Sequence, residues 1–490
     1  MKRFLGIFLL TCATQVAGAQ QLLSLDSCRA LALRNNKQLS VSRVKQDVAK
    51  NIRKSARTKY LPHVTALGGY EYTSREISLL SDDVKSELST LGSKAVGDVQ
   101  AATGSLLKEF PTLAALLGQS PTLQGIMGGI EGAGNGIGQH VVDEFRSDTR
   151  NLFAGAVVVT QPIFMGGAIV ALNKMADIGE EMAANSADSK HQQTLYQIDQ
   201  AYWQVVSLRH KQKLAQGYLD LIKKLDSDVQ KMIREGVATR SEGLSVSVKV
   251  NEAEMTLMKV NDGLTLSRML LCQLCGLPVN EQVVLIDEEK EELETVPAAP
   301  QANVEQAMES RPELRILQNM VDLNKQTTNM LKAGNLPQVA LMGGYAFSNP
   351  NLYNGFQRKF GGVWNIGILV RVPVWNWGDV AYKVRASKGA GAIARLELDE
   401  AREKIQLQVN QSTFQVNEAN KTLQLAKASV ERANENLRTA NLGFQEGVIS
   451  STTVMEAQTA WLQAASQKID AEINVKLSEV NLQKALGTLY

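Results

Sequence analysis

The chain has 490 residues, of which 44% are hydrophobic, 21% charged and 5% aromatic, and its 52 Lys and Arg stand against 50 Asp and Glu. Lys2 and Arg3 carry the whole excess, so the balance beyond the first nineteen residues is 50 against 50; a nucleic-acid binder would keep a basic domain. The few aromatic residues argue against several compact cores and for long helices rich in Ala, Leu, Gln, Asn and Lys.

Residues 1–19 read as a secretory signal peptide. Lys2-Arg3 precede the apolar run Phe4 to Leu10, and Ala17-Gly18-Ala19 supplies a small-x-small cleavage site before Gln20. Leu9-Leu10-Thr11-Cys12 offers the rival reading of a lipoprotein signal, weakened by the bulk of Thr11 and by the short stretch before the cysteine. No later stretch reaches the ~18 apolar residues of a membrane helix, which leaves a soluble exported protein or a β-barrel. Cys28, Cys272 and Cys275 remain after cleavage. The Cys272-x-x-Cys275 pair has no second Cys pair, no nearby His and no βαβ context, so all three read as small buried residues rather than a zinc or redox site.

An internal repeat organises the rest. Leu61-Pro62 with Gly68-Gly69-Tyr70 recurs as Leu336-Pro337 with Gly343-Gly344-Tyr345, an offset of 275. Further on the offset is 211: Pro162 matches Pro373, Gln204-Val205 matches Gln415-Val416, Glu235-Gly236-Val237 matches Glu446-Gly447-Val448, and Gly276 matches Gly487. The difference places 64 extra residues in the first copy, between Tyr70 and Pro162. The first repeat spans 20–276, with a helical segment, a strand over 63–73, a long insertion over 79–148, a strand over 151–163 and a long helical hairpin turning near 236. An irregular linker, 277–302, carries the acidic run Asp287-Glu288-Glu289-Lys290-Glu291-Glu292. The second repeat, 303–490, has strands over 338–348 and 363–374 and a hairpin turning near 447.

The strands alternate with period 2. Val64, Ala66, Gly68, Tyr70 and Tyr72 share a face, as do Phe153, Val157 and Val159, then Val339, Leu341, Gly343, Tyr345 and Phe347, and last Trp364, Ile366, Ile368, Val370, Val372 and Val374. Small or polar residues take the other side, Asn365 and Arg371 among them. Apolar out and polar or small in, over about ten residues, is the pattern of a transmembrane barrel, with Asn365 and Arg371 towards the lumen and Trp375 and Trp377 as interfacial aromatics. Four strands cannot close a membrane barrel and an open edge cannot face lipid, so other copies must complete the sheet. Two copies would give a filled barrel and three a wider one with room for a pore.

From 168 to Gly236, and again from 379 to Gly447, the pattern predicts helices of ~100 Å at ~1.5 Å per residue. The returning runs 243–276 and 454–487 and the entering segments 25–58 and 303–333 are half as long, so two short segments end to end match one long helix. Ala419, Ala426, Ala433 and Ala440 recur every seven residues as a packing seam. The predicted class is mainly α with a transmembrane β-barrel, the barrel continuous with a helical cylinder.

No catalytic, cofactor or metal constellation emerges. His63, His140, His191 and His210 lack ligand spacing, and the glycines from Gly128 to Gly138 are not followed by the Gly-Lys-Ser/Thr of a phosphate loop. Met255, Met258 and Met269 read as packing filler rather than metal ligands.

Ser24-Leu25-Asp26 through Ala30-Leu31-Ala32-Leu33-Arg34-Asn35-Asn36, Arg311-Pro312-Glu313-Leu314, Leu336-Pro337, and Glu446-Gly447-Val448-Ile449-Ser450 followed by Val454-Met455-Glu456-Ala457-Gln458 resemble the TolC-like family of outer-membrane efflux proteins. The resemblance covers residues 22–490 and rests on the duplicated order more than on any single motif. It implies a homotrimer with a barrel of twelve strands in the outer membrane of a Gram-negative bacterium, continuous with a periplasmic helical tunnel. The implied partners are a periplasmic adaptor protein, an inner-membrane transporter and outer-membrane lipid, with no nucleic acid and no cofactor. Carried onto this chain, the adaptor-docking tips are Gly236, Val237, Ala238 and Gly447, Val448, Ile449. The family often has Asp six residues after the tip Gly; Glu242 and Thr453 stand there, which makes them the candidate tip gate and puts an acidic link at Thr453 in doubt.

The implied function is a passive exit duct of a tripartite efflux or type I secretion system, not an enzyme. The rival is a non-transporting coiled-coil adhesin or envelope spacer, against which the lipid-facing strands argue. The inserted residues fall on the extracellular side, where they would shield the pore mouth. Deleting about 81–144 is then expected to raise single-channel conductance in planar bilayers, and unchanged conductance would remove that role.

Overall fold

The computed structural model describes residues 21–74, 81, 150–290, 293, 303–354 and 357–490. The signal segment 1–19 with Cys12 and, Ser81 apart, the insertion 79–148 lie outside the described residues. The elements run β1 (Gln21–Leu23), α1 (Leu25–Asn35), α2 (Lys37–Thr58), β2 (His63–Tyr72), β3 (Asn151–Met165), α3 (Ala168–Arg234), α4 (Arg240–Cys275), β4 (Val283–Leu285), α5 (Val304–Ser310), α6 (Pro312–Lys332), β5 (Gln338–Asn349), β6 (Gly361–Arg371), α7 (Asp379–Gln445) and α8 (Ser451–Leu486). Strand 63–73 thus stops at Tyr72, 151–163 continues to Met165 and 338–348 to Asn349. The expected strand 363–374 is shifted to 361–371, because Val372 to Trp375 have no strand partner beyond the pairing of Arg371 with Gln338.

The chain divides into a helical unit (Met1–Arg53, Met175–Lys325, Lys388–Tyr490) and a sheet unit (Lys54–Lys174, Gln326–Ser387). In the helical unit the two long helices, α3 and α7, count 67 residues each and the returning α4 and α8 count 36 each. The entering segments are not single helices. Asn36 and Arg311 take extended backbone and break each into two.

Those breaks have a physical cause at the ends of the returning helices. The last carbonyls of a helix lack intrahelical partners. The Asn36 side-chain amide donates to the Leu274 carbonyl at 3.0 Å, and the Arg311 guanidinium donates to the Lys484 and Ala485 carbonyls at 3.1 Å. The two residues are equivalent under the offset of 275, and Leu274 and Ala485 under that of 211. Each returning helix then ends on a left-handed glycine, Gly276 (φ 71°) or Gly487 (φ 72°). A Cβ on Gly276 would stand 2.6 Å from that of Asn35, so the break and the cap are fitted to each other.

The linker is more ordered than an irregular segment. Val283–Leu285 pairs in parallel with Gln21–Leu23, over a core that includes Cys28, Ile198, Tyr202, Leu271, Cys272 and Cys275. The three cysteines are free and buried there, and burial raises the Cys272 thiol. The acidic run does not form a solvated charge patch where it is described. Asp287 accepts from the Tyr202 hydroxyl at 2.5 Å, and buried Glu288 from Arg268 at 2.6 Å and the Leu285 N–H at 3.2 Å. Glu289 meets Lys213 at 2.8 Å and Arg209 at 3.2 Å, which hold its carboxyl below the usual range.

One ion pair ties α1 to α3. Arg29 clasps Asp199 through Nε (2.8 Å) and Nη2 (2.5 Å), and the Asp199 side chain is 0% exposed. Burial pushes the Asp199 carboxyl up while Arg29 opposes it; the bidentate geometry fits the ionised pair. Arg29→Ala strands that carboxylate and is expected to lower the unfolding free energy by about 3 kcal/mol. Replacing both residues by leucine should recover most of the loss, and denaturant midpoints of the single and double variants check the order.

Candidate functional site: the sheet and the hairpin tips

In the sheet unit four antiparallel strands lie in the order β2-β3-β5-β6, leaving β2 and β6 as edges. Register carries the apolar positions across all four: Ala66, Val157, Tyr345 and Trp364 form one row, and Val64, Val159, Gly343 and Ile366 the next. The opposite face is richer in small and polar residues, with rows Leu67, Ala156, Ala346, Val363 and Thr65, Val158, Gly344, Asn365. Asn365 and Arg371 both lie on that face and are exposed; Arg371 sits at its last row, paired with Gln338. The sheet is four strands wide and open. Its apolar face is uncovered, with Val64, Tyr70, Tyr72, Trp364, Ile366 and Ile368 all exposed, a larger apolar surface than a water-soluble face carries.

Trp375 and Trp377 follow β6 and are exposed, their rings stacked edge to face at 5.7 Å. At the other strand-to-helix corner, Gly166 (φ 62°) and Gly167 (φ 86°) make the turn from β3 into α3.

The tips of the helical unit are two copies of one device. At the first, Gly236 is left-handed (φ 77°), its N–H reaches the Ile233 carbonyl at 3.1 Å and the Val237 N–H reaches Met232 at 2.8 Å. At the second, Gly447 (φ 75°) bonds Phe444 at 3.0 Å and Val448 bonds Gly443 at 2.8 Å. Both are helix ends closed by a glycine that alone adopts this backbone without cost. Val237 is 71% exposed and Val448 81%. Ala238 and Ile449, the third member of each expected triad, are half-buried instead; Ile449 packs against a core in which Tyr218, Ile222, Val246, Leu437, Val454 and Met455 bring the two hairpins together. Only the Gly-Val pair of each tip therefore faces outwards.

Glu242 and Thr453 both act within their own helices. The Glu242 carboxylate accepts from the Thr239 N–H at 2.7 Å and hydroxyl at 2.9 Å, while the Glu242 N–H donates to Thr239 Oγ1 at 3.2 Å. This is a capping box, and the Thr239 backbone bond holds the Glu242 carboxyl below its ordinary value. The equivalent start of α8 has Ser450 capping Thr453 without a carboxylate. Sequence reasoning missed Asn36 and Arg311, whose shared place in the repeat was the available signal, and Arg29 with Asp199, which has no second-repeat counterpart. Met255 and Met258 are exposed on α4 rather than packed.

Residues 303–488 match the family described as outer membrane efflux protein. The chain is similar to the outer membrane protein TolC of Vibrio cholerae, 22% identical over 69% of this chain and 77% of the relative. Over these residues the chain resembles TolC-like outer-membrane efflux proteins. Its fold is that of the CmeC outer membrane channel of Campylobacter jejuni (TM-score 0.73, 13% identity, 95% of this chain and 86% of that one) and of the outer membrane protein VceC of Vibrio cholerae (TM-score 0.70, 12% identity, 94% and 96%). Similarity to TolC and to these channels supports an outer-membrane efflux duct that extends into the periplasm, rather than an enzyme.

The two tips differ in their answer to acid. A carboxyl whose pKa is lowered by folding adds stability above its unfolded value, and that stability is lost as pH falls through the lowered one. Acidification from pH 7 to about 3 is expected to speed amide exchange at the start of α4, where Glu242 must be ionised, relative to the start of α8, where it has no counterpart. Equal changes at both tips would remove the distinction.

Proposed function

We propose that three copies of this chain close their sheets into one twelve-stranded barrel. The observation that carries this reading is the open four-stranded sheet with an apolar face exposed and two edges free. In hydrocarbon each unpaired backbone group costs several kcal/mol, so the edges must find partners. Three copies pairing β6 to β2 supply them and leave the small-residue face, with Asn365 and Arg371, around an aqueous lumen. The helices support the same reading. Val41, Val44, Val48 and Ile52 expose one apolar stripe on α2, and Ile393, Leu396, Leu407 and Phe414 another on α7, as surfaces that pack against further helices do.

The organisation into a signal peptide at 1–19, a first repeat at 20–276, a linker at 277–302 and a second repeat at 303–490 belongs to this proposal, as does docking of a periplasmic adaptor on the tips. Val237 and Val448 project where a helical-hairpin partner would meet them, and the tip glycines keep the surface flat beside them. An inner-membrane pump working through that adaptor would supply the driving force, the duct itself being passive. The tripartite efflux and type I secretion arrangements both fit, because the duct sees cargo only after the pump has selected it. Glu242 and Thr453 are proposed to hold the tips in shape rather than to form an acidic link across them.

Substituting glutamate for Val237 and Val448 together is expected to abolish export while trimers still form on native gels. Export at the original level would remove the tips as the docking surface. Stepwise conductance in planar bilayers checks the barrel, and its absence from correctly folded trimers would restore the spacer reading.

A further inference from the structure

The corner after β6 carries a feature that the repeat does not explain. The offset of 211 lays Trp377 on Gly166 and Gly378 on Gly167. Both corners make the same turn, with φ of 62° and 86° in the first copy and 53° and 78° in the second. Trp377 is the one non-glycine residue with positive φ among the described residues. A Cβ in that region is disfavoured sterically, and strain of this kind persists where the side chain it presents has a use. Space sharpens the contrast: a Cβ on Gly166 would stand 2.8 Å from the Ala333 carbonyl oxygen.

The strained backbone turns the Trp377 ring outwards beside Trp375. Val374 is 90% exposed, Trp375 74% and Trp377 84%. Trp461 elsewhere gives its indole N–H to Asn434 at 2.7 Å, whereas Trp375 and Trp377 meet no such acceptor among the described residues. Trp364, Ile366, Ile368 and Val370 lead into this patch along the apolar sheet face. Beyond it, the Arg385 guanidinium lies 5.8 Å from the exposed Tyr382 ring. Lys383 is held by Asp379 at 2.7 Å, but Arg385 has no carboxylate partner among the described residues.

We propose that the corner from Val374 to Arg385 is a phospholipid anchor. The two indoles seat in the glycerol and phosphate layer at the edge of the bilayer, and Arg385, resting on Tyr382, takes a lipid phosphate. An indole has a large apolar body and one N–H donor, which suits a layer apolar on one side and rich in acceptor oxygens on the other. A free cation lined up at the same level gives the site a preference for anionic headgroups. The anchor is confined to the second repeat, since the first-repeat positions are Phe164, Gly166, Ala171 and Lys174 in place of Trp375, Trp377, Tyr382 and Arg385. This rests on the outer-membrane reading and adds the ligand and the means of fixing depth.

The test uses the full-length protein in nanodiscs of phosphatidylcholine with phosphatidylglycerol. The chain has five tryptophans, so Trp203→Phe, Trp364→Phe and Trp461→Phe leave only the corner pair to report. Lipids brominated near the headgroup are expected to quench this emission at least twofold more than lipids brominated deep in the chain, with aqueous iodide least effective. Arg385→Gln should remove the extra quenching seen when the brominated lipid is phosphatidylglycerol. Trp377→Gly should keep or raise the thermal midpoint in detergent while loosening the Trp375 emission from the bilayer. Quenching by iodide alone, or an Arg385→Gln protein with an unchanged headgroup preference, would overturn the anchor. Pore conductance of the same preparation keeps the outcomes apart: conducting trimers with water-exposed indoles sink the anchor only, and failure to insert sinks the duct reading with it.

Discussion

Unpaired backbone groups cannot be left in hydrocarbon, and that constraint governs more of this chain than any side-chain contact. Strand register is what makes the constraint soluble. Because the four strands align their apolar positions in common rows, one face of the sheet carries the large apolar residues from edge to edge and the other mixes small and polar residues with a few larger ones such as Leu67 and Leu369. A slip of one residue in any strand would turn its side chains to the wrong face. In the barrel proposed above, the alanines, glycines and threonines of that second face would leave room that a face of leucines would fill.

The helical unit solves an analogous problem at its chain ends. Each returning helix must finish its carbonyls inside protein, and each does so with a left-handed glycine followed by a side chain from the broken entering helix. The chemistry is not copied from one repeat to the other. Asn36 offers a neutral amide, whereas Arg311 brings a buried charge that also meets Glu313 at 3.1 Å, and a cation is the favourable partner for the negative end of a helix. Duplication has kept the place and the geometry while the donor has diverged.

Much of this was legible without coordinates. Period-2 alternation marked the four strands, and the constant offset marked Gly236 with Gly447 and Gly276 with Gly487, because backbone turns that demand glycine leave a trace at single positions. The strand ends were less legible: Val372 and Val374 continue the alternation beyond the last paired residue, since periodicity reports a face and not a hydrogen bond. Asn36 and Arg311 were hidden because unlike residues do one job. The partners of the acidic run were not legible either, since Arg209, Lys213 and the Tyr202 hydroxyl come from the first long helix and Arg268 from the returning one.

The small parallel pair of β1 and β4 bears on how the chain assembles. Gln21 meets Val283 across roughly 260 residues, a separation at which closing the loop is slow even though its entropy grows only logarithmically with length. Both strands nevertheless belong to the first repeat and the linker that follows it. The pair closes the first repeat and its linker into one loop, with Leu23, Val283 and Leu285 in the same core as Ile198 and Leu271 of the first hairpin.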